Sequence, residues 1–238
     1  MIVAVGSLLL SLLFGLGALV LLQPEWLFST LREQSPQVLY SVETNEKIIA
    51  LTIDDGPDAV QTAKILDVLK AYDAHATFFL ITSRIPGNES LVQRMLDEGH
   101  EIANHMVNDE PSILLEPEEF ERRLLEAHET LSNFSEARWF RPGSGWYNTE
   151  MLKIATDYGY KTALGSIYPY DPQVGSAWVS ANYVLWKARP GSIVVLHDFG
   201  HRGERTARAL STILPELQSR GYRVVTLSEL STIPEDGR

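Results

Sequence analysis

The sequence predicts an α/β fold, a distorted and incomplete (β/α) barrel of about seven parallel strands, preceded by one N-terminal transmembrane helix. Three observations carry this expectation. From Lys47 onward, short β-rich runs alternate with stretches of helical character, the pattern of repeated βα units. The runs IIALTI, ATFFLI and SIVVLH are apolar almost throughout, as strands covered on both faces of a parallel sheet are. Residues 1–23 carry no charged side chain, and IVAVGSLLLSLLFGLGALVLL matches the ~20 apolar residues that a bilayer-spanning helix needs. A doubly wound open sheet would give a similar alternation; the barrel is the reading adopted.

Taken in order, 1–23 is expected to be a membrane anchor or signal-anchor. A cleaved signal peptide would show a basic start, a shorter apolar stretch and a small-residue cleavage site, whereas Leu22, Gln23, Pro24, Glu25 and Trp26 follow directly. Trp26 and Phe28 suit the membrane interface. Residues 24–46 turn polar and irregular around Ser35, Pro36 and Gln37 and read as a linker. The catalytic domain is expected over 47–238. Its strands are IIALTI, ATFFLI, HEIAN, RWFRP, KTALG, SIVVLH and RVVTL, with helices over 59–71, 90–98, 117–134, 149–158 and 204–219 and a long irregular stretch up to Pro190.

The formal net charge of −11 disfavours phosphate backbones, so nucleic acid is not an expected partner. The chain has no cysteine, which removes disulfides, thiolate metal sites and a Cys nucleophile together. Any metal must be held by His, Asp or Glu.

The polar residues that stand out follow the apolar runs: Asp54 and Asp55 after IIALTI, His105 after HEIAN, Arg141 after RWF, and His197 after SIVVL. In parallel α/β folds that strand-end rim is where sites are built. In TIDDGPD, one aspartate can bind a metal while the other serves as a general base for an attacking water. Either could instead cap the following helix, a role for which Asp58 is better placed. His105 and Asp109 lie four apart, which on a helical turn sets an imidazole and a carboxylate on one face, as ligands or as a solvated surface pair. His197 suits a general acid, with a satisfied core histidine as its alternative. Arg141 could orient a catalytic Asp, and Asp171 could hold a catalytic His in its useful tautomer. His75, His100 and His128 read as structural. Trp146, Tyr147, Tyr168 and Tyr170 crowd the connections, where aromatic faces stack on sugar rings or pack a core.

In this order TIDDGPD, GHEIANH, FRPGSGWY and VVLHD resemble the motifs of the polysaccharide deacetylase family, the NodB-like carbohydrate esterases that include chitooligosaccharide deacetylases. The resemblance spans about 47–230. It implies a distorted (β/α) barrel and metal-dependent hydrolysis of N-acetyl groups on chitin-like or peptidoglycan-like glycans. It implies Asp54 as base and His197 as acid. Asp55 and His105 match metal ligands, Arg141 the arginine that orients the base, and Asp171 the aspartate that tunes the acid. Where the family has a second ligand histidine this chain has Asp109, so the expected ligand set is Asp55, His105 and Asp109. The family implies zinc; the added carboxylate favours harder ions such as Mn²⁺ or Mg²⁺, with Co²⁺ also compatible. Trp146, Tyr147 and Tyr170 are the expected substrate-binding aromatics. RPGSGWY and YPYDPQ depart from the family's usual pocket motifs. An N-acetylated oligo- or polysaccharide is the expected partner, with the membrane through the N-terminal helix and no protein partner evident. The domain is expected on the extracytoplasmic side of a single-pass anchor, or secreted if the segment is cleaved. The alternatives are a related amidohydrolase acting on a non-sugar amide and a membrane-tethered glycan-binding protein without activity.

Overall fold

Strand parity organises this molecule. The computed structural model describes residue 17 and residues 22–234. The chain divides into two compact units, 1–36 and 37–238. In the first, the described part includes helix α1 (Glu25–Gln34). The membrane segment expected over 1–23 lies almost wholly outside the described residues; among those described, no helix is long and apolar enough to cross a membrane.

The second unit is a curled sheet of eight parallel strands. The strands are β1 (Val38–Leu39), β2 (Ile48–Asp54), β3 (Ala76–Leu80), β4 (Glu101–Asn104), β5 (Trp139–Phe140), β6 (Lys161–Ala163), β7 (Ile193–His197) and β8 (Arg223–Val225). Their order is β1-β6-β5-β4-β3-β2-β7, with β8 also paired to β2. β2 is shared: its first half, Ile48 to Ala50, pairs with β8, while Ala50 to Asp54 pair with β7. Between β6 and β7 closure is partial, through a bridge of Ile167 to Val194. The incomplete barrel expected from the βα alternation is what forms. All seven anticipated strands are present, and the sheet starts earlier than Lys47, with β1; within the 24–46 stretch read as a linker lie β1 and, in the first unit, α1.

Helices α2 (Gln61–Ala71), α3 (Glu89–Asp97), α4 (Pro117–Ser132), α5 (Thr149–Asp157), α6 (Ala177–Lys187) and α7 (His201–Ser219) lie in the crossovers, and α8 (Leu227–Ser231) follows β8. α6 occupies part of the stretch read as irregular. Its sequence AWVSANYVLWK is apolar nearly all round and carries no amphipathic stripe to reveal it; the Ser176 side chain caps it by accepting from the Val179 N–H at 3.4 Å.

Along β2 the side chains alternate between two apolar layers, because successive strand residues face opposite sides. Ile49, Leu51 and Ile53 join the layer formed with the helices, while Ile48 and Ala50 face the barrel interior with Phe79, Ala103, Trp139 and Ile193. Leu227 and Leu230 of α8 belong to that interior cluster. The interior is therefore apolar at the strands' N-terminal ends. Continuing each strand with the same parity carries Ala50 to Thr52 and Asp54, Ala103 to His105, Trp139 to Arg141 and Ile193 to His197. That is how five polar side chains from four strands converge toward the C-terminal rim.

Candidate active site

Parity alone would send Asp55 away from the interior, since it follows Asp54 directly. Its backbone adopts φ 80°, in the left-handed region that Asp tolerates better than most residues, and this returns its carboxylate to the cleft. The turn continues through Gly56, where any side chain would collide with the buried Asp198 carboxylate. Asp58 caps α2: its Oδ1 accepts from the Val60 and Gln61 N–H groups at 2.9 Å each, and its Oδ2 from the Gly200 N–H at 3.0 Å. Asp54 and Asp55 are thus released from capping. Met106, Ser144 and Tyr170 also hold positive φ, so strained backbone gathers at this rim.

Asp54, Asp55, His105, Arg141 and His197 line one cleft of about 580 Å³, together with Asp109, Trp146, Tyr168, Gln173 and Arg202. Asp54 and His197 are register partners on β2 and β7. Arg141 is fully buried and its donors are spent on fixed acceptors. Nη1 donates to Asp54 Oδ1 at 2.5 Å and to Thr52 Oγ1 at 2.9 Å; Nε and Nη2 donate to the Ala163 and Leu164 carbonyls at 2.9 and 2.6 Å. Its guanidinium also lies 4.0 Å from the centre of the Phe79 ring. One rotamer of Asp54 is thereby held.

His197 Nδ1 donates to Asp171, at 3.1 Å from Oδ1 and 3.0 Å from Oδ2, and the His197 N–H donates to Oδ2 at 3.1 Å. This fixes the ring and leaves Nε2 as the other protonatable atom. Burial pushes the imidazole pKa down, but the hydrogen bond and charge of Asp171, with the charges of Asp54 and Asp55, outweigh it and raise the value to about 9. Behind this pair Asp198 is fully buried, accepting from Thr62 Oγ1 at 2.6 Å, and burial pushes its carboxyl up to about 7.

His105 Nδ1 faces the Arg141 carbonyl at 2.7 Å. A carbonyl only accepts, so Nδ1 carries the hydrogen and Nε2 presents its lone pair, 3.6 Å from Asp55 Oδ1. Lone pair facing carboxylate makes a place for a cation. Two metal–ligand bonds of about 2.1 Å can span that separation, so this pair fits a divalent ion. Burial alone would lower the His105 pKa; the neighbouring Asp55 and Asp54 carboxylates turn the net direction upward, so that without a cation Nε2 tends to take up a proton that a bound ion would replace.

Asp109 does not join them. Its half-exposed carboxylate accepts from Arg84 Nη2 at 2.9 Å, and among the described residues no three His, Asp or Glu side chains gather closely enough to hold a metal. The expected third ligand is thus drawn toward an arginine, because residues 106–110 leave the helical turn that a four-residue spacing assumed. Of the expected aromatics, Trp146 lines the cleft and is well exposed. Tyr147 instead pairs its hydroxyl with that of Tyr40 at 2.6 Å, and Tyr170 packs against Tyr168 and Tyr183. Tyr168 is the tyrosine in the cleft, edge-on to His197. Sequence reasoning missed Thr52, Arg84 and Arg202. Thr52 could have been found by the period-two parity from Asp54; the arginines carry no local signal.

A family profile described as polysaccharide deacetylase matches residues 41–163. The chain belongs to that family. It is 41% identical over 205 residues to a peptidoglycan-N-acetylglucosamine deacetylase of Bacillus cereus, covering 83% of this chain and 94% of the relative. The crystal structure of the Bc1960 peptidoglycan N-acetylglucosamine deacetylase superposes with a TM-score of 0.77 at 32% identity, over 82% of this chain and 92% of that one. A Bacillus anthracis protein described as a pseudoenzyme of the same esterase family, BA3943, superposes with a TM-score of 0.75 at 28% identity, over 81% of this chain and 68% of that one. Deacetylases and a pseudoenzyme therefore share this fold, and the family's members are generally metal-dependent.

Proposed function

We propose that this chain is a metal-dependent hydrolase that removes N-acetyl groups from N-acetylglucosamine residues of a peptidoglycan-like glycan. The observation that carries this reading is the pairing of Asp54 and His197 as register partners over one cleft, each held by its own buried partner, beside the Asp55 and His105 pair. Sequence likeness to peptidoglycan deacetylases supports the substrate class.

Asp55 and His105 are the residues that would hold a divalent ion, whose Lewis acidity toward the acetyl carbonyl and the attacking water is the chemistry it supplies. Asp54 accepts the proton of that water, with Arg141 keeping the carboxylate aimed. His197, protonated at neutral pH, gives its Nε2 proton to the departing sugar amine, and Asp171 holds the ring for that transfer. Trp146 offers an exposed ring face to a sugar. The anchor read in residues 1–23 would hold the domain at the outer membrane surface, where such a polymer lies.

The test is acetate release by the full chain, stripped of metal and reloaded separately with Zn²⁺, Mn²⁺, Co²⁺ and Mg²⁺. The substrates are N-acetylglucosamine oligomers, peptidoglycan and simple non-sugar amides. Metal-dependent release from the glycans alone is expected. Release only from non-sugar amides makes the chain an amidohydrolase of another substrate class. Glycan binding without release under any ion favours the second reading, a binding protein, for which the uncoupled Asp109 is the supporting observation.

A further inference from the structure

Two arginines stand where the ligand set was expected to close. Arg84 ends the short turn after β3 and is anchored on several sides. Its Nη1 donates to the Asp55 carbonyl at 2.5 Å, its Nη2 donates to Asp109, and its guanidinium stacks 3.6 Å from the Phe199 ring centre. Arg202, in the first turn of α7, has a different character. Its side chain is one-third exposed, and the contacts found for its guanidinium are to carboxylates, Asp55 Oδ2 at 2.7 Å and Asp109 Oδ2 at 3.9 Å. Asp55 thus presents one oxygen to His105 and the other to Arg202. An ion on the His105 side and the guanidinium on the other would be two cations drawing on one buried carboxylate.

We propose that Arg202 is a resident counter-cation that competes with the divalent ion for Asp55, and that Asp109 is the acceptor on which the displaced arginine is held instead of a metal ligand. Arg84 keeps Asp109 at the cleft edge for this purpose. In the ion-free chain Arg202 neutralises Asp55; as an ion binds, the guanidinium gives up Asp55 for Asp109. The exchange reduces the apparent metal affinity in proportion to the fraction of molecules in which Asp55 is free, so if Arg202 holds Asp55 nine times in ten the cost is about tenfold. The site would load only where the ion is plentiful. This inference rests on the reading that Asp55 and His105 bind the ion.

The experiment is a direct binding titration of Mn²⁺, Zn²⁺ and Co²⁺ to the full chain in detergent, by competition with a chromophoric chelator. It compares wild type, R202Q, R202K, D109N, the R202Q/D109N double variant and H105N. R202Q should bind about tenfold more tightly than wild type, with R202K in between because it keeps the charge without the planar fork. D109N alone should weaken binding, by removing the acceptor for the displaced arginine, and should have no effect in the R202Q background, a double-mutant coupling that a ligand would not show. Unchanged or weaker binding in R202Q overturns the competition. Equal weakening by D109N in both backgrounds makes Asp109 a ligand and overturns its assigned role. H105N binding as tightly as wild type, or no binding by any variant, overturns the metal reading and the exchange with it. Loss in H105N with R202Q unchanged overturns the exchange alone.

Discussion

On one side of the cleft Asp54 and His197 are each fixed by a buried partner, Arg141 at 2.5 Å and Asp171 at 3.0 Å. On the other side Asp55 and Asp109 share Arg84 and Arg202, with the Asp109 side chain 49% exposed and that of Arg202 32% exposed. The first side contains groups fixed before any ligand arrives, so the proton transfer proposed for them would need no rearrangement. The second contains charges paired with one another, which in the proposed exchange re-pair when a cation enters. On the proposed reading, rigidity is concentrated where protons would move, and exchangeable pairing where an ion would be bound.

The largest effect should follow from breaking the rigid side. Arg141→Ala leaves Asp54 buried without its counter-charge, and loss of one partner of a buried pair costs about 3–5 kcal/mol. Chemical denaturation should show that loss in full; a change of the size seen for exposed pairs would mean that Asp54 is not held as described. Next, Asp171→Asn should lower kcat by about a hundredfold or more, as an orienting carboxylate lost beside a catalytic histidine does. It should also move the alkaline limb of the kcat profile to lower pH, since His197 then loses the partner that raises it. An unmoved limb would separate Asp171 from the proton transfer.

A smaller effect concerns stability of the metal-free chain. The folded His197 value of about 9 exceeds its ordinary 6.5, so the stabilisation is full below about pH 6.5 and is lost as pH rises through about 9. Thermal unfolding of wild type and His197→Gln should therefore converge across that window; an advantage of wild type that widens with pH contradicts the pairing. Smallest of all, Trp146→Ala should raise KM several-fold, about 1 kcal/mol of stacking, with kcat little changed. A KM that stays put would show that glycan does not use the exposed ring.

The rigid side was the more legible in sequence. Three of its four residues continue a strand whose apolar run announces them: IIALTID leads to Asp54, RWF to Arg141, VVL to His197. Period-two parity then fixes the direction of each side chain. β1 escaped notice because two residues, Val38 and Leu39, gain strand character only by pairing with β6. The exchangeable side was poorly legible because its partners lie far apart. Arg202 meets Asp55 across 147 residues of sequence, and Arg84 meets Asp109 across 25. A four-residue His to Asp spacing carries metal meaning only on a continuous helical turn, and the backbone after β4 does not make one. Local pattern reports what strands deliver; it is silent on which long side chain bends into the cleft.

The contrast between the two sides is tested most directly in Asp54→Asn, measured for both divalent-ion affinity and acetate release from N-acetylglucosamine oligomers. If Asp54 serves proton transfer and Asp55 with His105 serves the ion, affinity stays within a few-fold of wild type while kcat falls by about 10³-fold or more. Loss of ion affinity together with turnover would make Asp54 a ligand and dissolve the division, and retained turnover would remove it as the base.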